Sequence, residues 1–438
     1  MFENRFRKLV LGSLQKLRHG NIVVTEGQRT DIFGDTGADL KANVTVHDPA
    51  FFKQMALGGG LGAAESFAQG HWTCSDLTAL VRILIRNLPD GDTINGPLAL
   101  AKNGLEKIGH FLRRNTISNA KQNILKHYDL SNDFFALFLD PSMTYSSAIF
   151  PHPECSLYEG SMEKIDRACR KLGLKPDDHL VEIGTGWGAL AVHAVKQYGC
   201  RVTTTTISDE QHDFAQKRFQ QEGVADRITL LKEDYRNLTG KFDKLVSIEM
   251  IEAVGHQFFD TFFKKCGQLL KPDGEMVMQA ITIVDHRFDH HKKTADFIKR
   301  YIFPGGCLPS VTALSQSMAS ASRLRMVHME DFAAHYAETL RRWRSQFFDQ
   351  LDKVKNLGFD DRFIRIWDYY LCYCEAAFME RHVNVTQLWM ANYGATASPL
   401  DRPVHRSQIA TDSNADTMRP KQAGRTKPQS LSSSEVVS

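Results

Sequence analysis

The sequence predicts an α/β protein, a doubly wound and largely parallel sheet preceded by a small α+β unit. Two patterns and one bound predict it. From Pro176 onward, strand, glycine loop and helix alternate: His179-Leu-Val-Glu-Ile, then Ala189 to Tyr198, Arg201-Val-Thr-Thr-Thr-Thr, a helix to Glu222, Ile228-Thr-Leu-Leu, and Phe242-Asp-Lys-Leu-Val-Ser-Ile. Between Gly20 and Val46 the chain instead alternates apolar and polar residues between Gly and Asp turns, as strands of a smaller sheet do. The bound is length: 438 residues, 42% of them hydrophobic, suffice for about two or three globular domains.

Taken in order, the first residues are basic, and Phe2, Phe6, Val10, Leu14 and Leu17 recur at helical spacing. They predict the first helix of a folded unit whose other face could meet anionic lipid. After the short strands come helical patterns at Asp48-Pro-Ala-Phe-Phe-Lys-Gln and Leu77 to Leu88, then a turn-rich break at Pro89–Pro97 and a basic helical connector at about Leu98–Arg114. The sheet pattern follows and is continued by Lys271-Pro-Asp-Gly into Glu275-Met-Val-Met-Gln-Ala-Ile. Beyond that strand the chain reads as mostly helical to about Tyr393, and its last part is rich in Ser, Thr, Pro and scattered charge, a composition expected of disorder. The expected division is an N-terminal unit and connector over 1–115, a second domain over 116–398 and a disordered tail over 399–438.

Composition excludes several function classes. The excess of 54 Lys and Arg over 51 Asp and Glu is too small to argue for nucleic acid. Eight cysteines, at 74, 155, 169, 200, 266, 307, 372 and 374, never form Cys-x-x-Cys, so neither a zinc site nor a disulfide framework is indicated, and a reduced, cytoplasmic compartment is expected. The most apolar stretch, Leu77–Arg86, is broken by two arginines, and no run reaches the roughly 18 residues of a spanning helix. In Asp289-His-His-Lys-Lys adjacent histidines point apart, so a solvated face is expected and no metal.

The loop Gly184-Thr-Gly186-Trp-Gly188 leaves a strand and enters a helix, which places backbone N–H groups and a helix N-terminus at a ligand site. Alone it is a weak signal, because Gly184, Gly186 and Ala189 also satisfy a loose dinucleotide pattern, and an oxidoreductase stays open. Its surroundings favour S-adenosylmethionine. Glu182 would repel a pyrophosphate but can pair with the ammonium of a methionine moiety, and Asp234-Tyr235 follows the third strand of the sheet.

Seven motifs then fall in one order: His127-Tyr-Asp-Leu-Ser-Asn-Asp-Phe-Phe135, Asp140-Pro-Ser-Met-Thr-Tyr-Ser-Ser147, the glycine loop, Thr206-Ile-Ser-Asp-Glu-Gln211, Ser247-Ile-Glu-Met-Ile-Glu-Ala-Val-Gly-His256, Phe303-Pro-Gly-Gly306 and Tyr369-Tyr-Leu-Cys-Tyr-Cys374. In this the chain resembles the cyclopropane-fatty-acyl-phospholipid synthase family from about Phe51 to Tyr393. The resemblance implies a class I methyltransferase fold acting on the cis double bond of a phospholipid acyl chain, with an N-terminal lipid-handling domain. It implies unsaturated phospholipid as partner and a place on the inner face of the membrane. Members of the family often dimerise, although no interface is legible in the sequence.

Carried over residue by residue, the resemblance places Tyr145, Ser146, Gly184, Gly186, Thr206, Gln211 and the Asp234-Tyr235 pair at the cofactor. It also implies a bicarbonate ion beside the reacting carbon, with Ile248, Glu252, Tyr336 and Ser147 around it. Ser147 stands where many members have Cys, and Gln279 where many have His; both can still donate a hydrogen bond to an anion. Relatives with altered sites make methyl-branched chains, so the product is open between a cyclopropane and a methyl- or methylene-bearing chain.

Methyl transfer from a sulfonium to an alkene leaves a carbocation that must lose a proton in a site closed to water. Glu252 is the expected residue for orienting the bicarbonate, and Tyr336, followed by Tyr128 and Tyr301, is expected to stabilise the cation through its ring face. Phe363, Trp367, Tyr370, Cys374 and Phe378 recur at helical spacing, which puts Cys374 on an inward stripe and turns Cys372 away. Cys374, the residue matching the family's motif cysteine, is expected to shape the pocket without acting as a nucleophile, since the chemistry needs no covalent enzyme intermediate.

Overall fold

The computed structural model describes residues 2–88, 130–396, 398, 399 and 402. The expected break at Pro89–Pro97, the basic connector, the boundary at 115, His127 and Tyr128 lie outside the described residues.

Strands β1 (Asn21–Glu26), β2 (Arg29–Gly34), β3 (Lys41–Val46) and β4 (Trp72–Cys74) form a small sheet in the order β2-β1-β3-β4. Along β3 the side chains alternate strictly between buried and exposed, as a sheet covered on one face requires. The covering elements are the helix Phe2–Leu14, which buries Val10 and Leu11, and the helix Ala50–Ala68 with Phe51, Phe52 and Phe67. The N-terminal amphipathic pattern therefore does serve as the first helix of a folded unit.

The large sheet has seven strands in the order β10-β11-β9-β8-β5-β6-β7. Its strands are β5 (His179–Ile183), β6 (Arg201–Thr206), β7 (Ile228–Lys232), β8 (Phe242–Ile248), β9 (Leu270–Ile283), β10 (Arg325–Asp331) and β11 (Val383–Ala391). The expected parallel core is present, from β9 through β8, β5 and β6 to β7. The expectation of helix from β9 to Tyr393 is corrected by β10 and β11, which add two antiparallel strands on the β9 side. Burial explains why they were not legible. Seven residues of Val-Asn-Val-Thr-Gln-Leu-Trp-Met-Ala in β11 form an unbroken buried run from Val385 to Ala391, so the period-two signature of a half-exposed strand is missing. Edge strand β10 is mostly polar and only partly buried.

The large sheet's own helices account for its flanks, and the remaining helices build a cap over one end. Helices Ala333–Asp349 and Asp361–Met379 pack against each other, and the second also meets the helices Leu77–Arg86 and Ala50–Ala68 of the N-terminal unit. Specific contacts tie the two parts: Thr78 Oγ1 donates to Glu375 at 3.0 Å, and Arg82 and Arg86 both pair with Glu380 at 2.7 Å. Tyr301 and Arg300 approach Glu65 at 2.8 and 3.3 Å. Tyr301 thus serves this junction and does not line the cavity, which corrects its expected role; its hydroxyl found a carboxylate of the other unit first.

One described residue of the stretch expected to be disordered, Arg402, is anchored to the sheet. Arg402 places Nη1 2.6 Å and Nη2 3.0 Å from the two oxygens of Glu275, a carboxylate that also accepts from Lys244 at 2.6 Å and from the Trp389 indole at 2.8 Å. A forked guanidinium matches a carboxylate in two places at once, which fixes Arg402 although it lies past 399. Its partners hold the Glu275 carboxyl below its ordinary range against the opposing effect of burial. Arg402→Ala is expected to lower stability by about 1–3 kcal/mol by leaving a buried carboxylate short of partners. Truncation after residue 402 should cost far less, and a pair of melting curves on the two variants checks the difference.

Candidate active site

The carboxyl ends of β5, β6 and β8 open onto one cavity of about 390 Å3, the place where ligands bind in such sheets. The glycine loop follows β5. Gly184 and Thr185 both donate backbone N–H groups to the Thr205 carbonyl, at 3.1 and 3.0 Å, which pins the loop to β6. Gly184, Gly186 and Gly188 have φ of +100°, +53° and +86°, a region that L side chains rarely adopt. Gly184 and Gly186 line the cavity; Gly188 does not, and a Cβ there would lie 2.7 Å from the Phe219 ring. Its expected place at the cofactor is corrected accordingly: the missing side chain makes room for a helix against the loop.

The other residues expected at the cofactor converge on this end of the cavity. Thr206 donates to Gln211 Oε1 at 2.9 Å, and the Tyr145 and Tyr370 hydroxyls meet at 2.9 Å. Asp234 is held by Arg236, and the buried Tyr235 hydroxyl has no protein partner. Glu182 lines the cavity with one oxygen taken by Thr204 at 2.6 Å, and burial pushes its carboxyl up to about 8. Ser146 accepts from the buried Lys164 ammonium at 2.6 Å. Desolvation pulls that ammonium down to about 8, against the opposing pull of Glu249, Asp140 and Glu182. Nothing in the sequence pattern marked Lys164, because a lysine facing inward from an amphipathic helix looks like one facing out.

Much of the remaining lining is apolar and aromatic, with Ile281, Ile283, Phe303, Tyr336, Tyr370 and Phe378 among its walls. Tyr336 stacks on Phe378 with ring centroids 4.4 Å apart. Cys374 lines the cavity as expected, and burial pushes its thiol far above the usual range, which disfavours a thiolate nucleophile. Cys372 points away from the cavity as expected and is buried on the other side of this helix, 1% exposed and within 3.6 Å of Asp368. His290 is exposed, whereas His291 turns inward, accepts from the Leu308 N–H at 3.1 Å and lines the cavity, so the expected solvated face holds for only one of the pair.

A part-buried polar floor centres on Glu249, a residue not singled out from the sequence, which lines the cavity, whereas Ser147 and Gln279, expected beside the reacting carbon, stand behind it and do not line the cavity. The Glu249 N–H donates to the Gln279 carbonyl at 2.8 Å, and its φ of +49° swings the chain out of β8. One carboxylate oxygen accepts from the Ser147 backbone N–H at 3.0 Å and the Gln279 amide at 2.7 Å; the other accepts from the Tyr336 hydroxyl at 2.7 Å. Glu252 sits beside it with one oxygen on the Ile281 N–H and the other buried without a partner. Ile248 ends β8 at the cavity wall.

Ser147, Gln279 and Tyr336 are thus brought together as expected, but around a protein carboxylate. The Ser147 hydroxyl is not directed there: it donates to the Ala148 carbonyl at 2.9 Å, and the backbone N–H reaches the anion instead. These residues do not fit a bicarbonate. Their donors already converge on Glu249, and a further anion would stand beside two carboxyl groups in a part-buried site. A signal for Glu249 was present in Glu249-Met-Ile-Glu252, two carboxylates at a strand's carboxyl end that both line the cavity, but which of them gathers the donors depends on segments distant in the chain.

A polar loop end for a cationic adenosyl ligand, joined to an aromatic apolar chamber, defines a class I methyltransferase acting on an apolar substrate. The chain matches the family model for mycolic acid cyclopropane synthetase over residues 115–388. It is 36% identical to tuberculostearic acid methyltransferase UfaA1 of Mycobacterium tuberculosis, covering 82% of this chain and 85% of that one. Identity to the cyclopropane-fatty-acyl-phospholipid synthase of Escherichia coli is 34%, over 80% and 86% of the two chains. The crystal structure of mycolic acid cyclopropane synthase CmaA1 complexed with SAH and CTAB superposes with a TM-score of 0.58 at 32% identity, covering 62% of this chain and 98% of that one. The chain belongs to the mycolic acid cyclopropane synthetase family and is an S-adenosylmethionine-dependent methyltransferase. That membership decides the glycine loop against a dinucleotide.

Two outcomes are expected from variants. Gly186→Ala points a methyl into open cavity space and should weaken S-adenosylmethionine binding, whereas Gly188→Ala meets Phe219 and should lower stability by about 1–3 kcal/mol; calorimetric titration and melting separate them. Burial and the neighbouring Glu249 push the Glu252 carboxyl up to about 8. A carboxyl raised on folding lends stability below its unfolded pKa, and that stability is lost as pH rises through the folded value. Glu252→Gln should therefore gain stability on the wild type as pH rises from about 5 to 8, and a flat difference in denaturant midpoints across that window would contradict the assignment.

Proposed function

We propose that the protein transfers the methyl group of S-adenosylmethionine to the cis double bond of an unsaturated phospholipid acyl chain, closing a cyclopropane ring. The observation that carries this reading is one cavity whose lining joins the glycine loop, a set of aromatic and apolar side chains and the hydrogen-bonded Glu249 carboxylate. Glycine-loop N–H groups, Thr206, Gln211, Asp234 and Tyr235 would hold the nucleoside and methionine parts, with Glu182 near the ammonium. Tyr336 and Tyr370 would face the carbocation, each ring worth up to about 2 kcal/mol in a desolvated site.

Phospholipid as substrate is supported by the name of the Escherichia coli relative, which matches over most of both chains. The described residues contain no helix long and apolar enough to cross a membrane, so the acyl chain would be taken up by a protein resting on the inner face of the bilayer. A second reading, a methyl- or methylene-bearing product, is favoured by the relative named for tuberculostearic acid and by the altered floor with Ser147, Gln279 and Glu249.

Purified protein, vesicles of unsaturated phospholipid and methyl-labelled S-adenosylmethionine test both. A lipid gain of one CH2 with cyclopropane resonances in the proton NMR spectrum is expected. The same mass without ring signals would establish the second reading, and lipid without label would overturn both.

A further inference from the structure

We infer that the Glu249 carboxylate is the internal base of this reaction, filling the niche that the family resemblance assigns to bicarbonate. The inference rests on the lipid methylation proposed above and concerns the group that takes the proton.

Four observations meet at this residue. Its carboxylate accepts from three donors on separate parts of the fold, Ser147, Gln279 and Tyr336, at 2.7–3.0 Å. The donor face of Gln279 is imposed from behind: its amide oxygen accepts from Gln387 at 3.0 Å, and the Gln387 oxygen accepts from Lys171 at 2.8 Å, which also pairs with Glu330 at 2.7 Å. A buried row of hydrogen bonds therefore runs from an ion pair to the cavity floor and aims N–H at Glu249. Its backbone sits at φ +49°, a region costing a non-glycine residue about 1–2 kcal/mol; such strain persists where surrounding contacts enforce it, often at functional sites. Finally, Glu249 lines the same cavity as the glycine loop and the aromatic residues Tyr336, Tyr370 and Phe378.

Two neighbouring carboxyls in a dry site cannot both ionise cheaply, and their hydrogen bonds decide which one does. Glu249 receives three donors and Glu252 one, with the second Glu252 oxygen unpartnered, so Glu249 holds the charge and Glu252 the proton. Three donors weaken Glu249 as a base, but a C–H next to a carbocation is strongly acidic, so position matters more than basicity. The electron pair of the alkene forms a C–C bond to the methyl carbon as its bond to sulfur breaks, releasing S-adenosylhomocysteine. One C–H bond of the cation then breaks. Its proton goes to a Glu249 oxygen, and its electron pair forms the third ring bond, or a C=C bond where the proton comes from the chain. The carboxyl returns its proton to water when product leaves.

The experiment follows labelled methyl into phospholipid vesicles in buffer stripped of carbon dioxide, with S-adenosylmethionine binding measured in parallel. Wild-type protein is expected to keep its rate there. Glu249→Gln keeps the shape and loses the charge; it should bind S-adenosylmethionine normally and turn over roughly 10²–10⁴-fold more slowly. Glu249→Gly suits the positive φ, so it should fold, and it opens the niche; its rate should recover at least about tenfold with added bicarbonate or formate. A wild type that stops when bicarbonate is removed, or a Glu249→Gln variant within about threefold of the wild type without it, overturns the inference. No label in lipid from the wild type overturns instead the reading on which it rests.

Discussion

A carboxylate removed from water has to be satisfied by donors fixed in place, and at Glu249 this requirement reaches through much of the molecule. The Ser147 N–H comes from the segment before the helix Leu157–Leu172, the Gln279 amide from β9 and the Tyr336 hydroxyl from the cap helix Ala333–Asp349. Each contact is worth about 1.5–3 kcal/mol when the acceptor is charged, and losing one leaves a buried group short of partners. Strand, loop and cap must therefore close together for the floor to form. The same demand explains why Gln279 is itself held by Gln387 and Lys171.

Around that floor the cavity is electrically graded. Glu182, Glu249 and Glu252 surround the reacting region, and the Lys164 ammonium stands buried among them at 2.6 Å from Ser146. Acidic surroundings suit a sulfonium cosubstrate and a cationic intermediate alike, because in a site of low polarity fixed charge acts at nearly full strength. The aromatic wall adds ring faces without adding an anion that a fatty chain could not tolerate. Strict exclusion of water falls to the cap, whose helix Asp361–Met379 supplies Tyr370, Tyr373, Cys374 and Phe378 on one side and meets the N-terminal unit on the other.

The legible parts share a physical cause. Strands β5, β6 and β8 announced themselves because apolar runs alternate with helices, and the glycine loop because three positive φ angles demand residues without side chains. Strand β11 did not, since full burial removes the alternation that marks a strand. His291 was misjudged for a related reason: local spacing gives direction around an axis but not what stands on each side, and here the Leu308 N–H and the cavity stand beside it. Arg402 was assigned to the tail by composition, which does not register a single forked pair with Glu275.

By itself the sequence determined the α/β class, the cofactor loop and the order of motifs along the chain. These depend on local preference, periodicity and fixed spacing, all of which are written along the chain. The tertiary structure decided which of two cavity-lining carboxylates three residues apart gathers three donors, that the Ser147 backbone and not its hydroxyl reaches it, and that Lys164 lies buried nearby. Those outcomes depend on one backbone angle at Glu249 and on donors arriving from segments up to 189 residues apart along the chain, from Ser147 to Tyr336, and no pattern along the sequence encodes which of those segments meet.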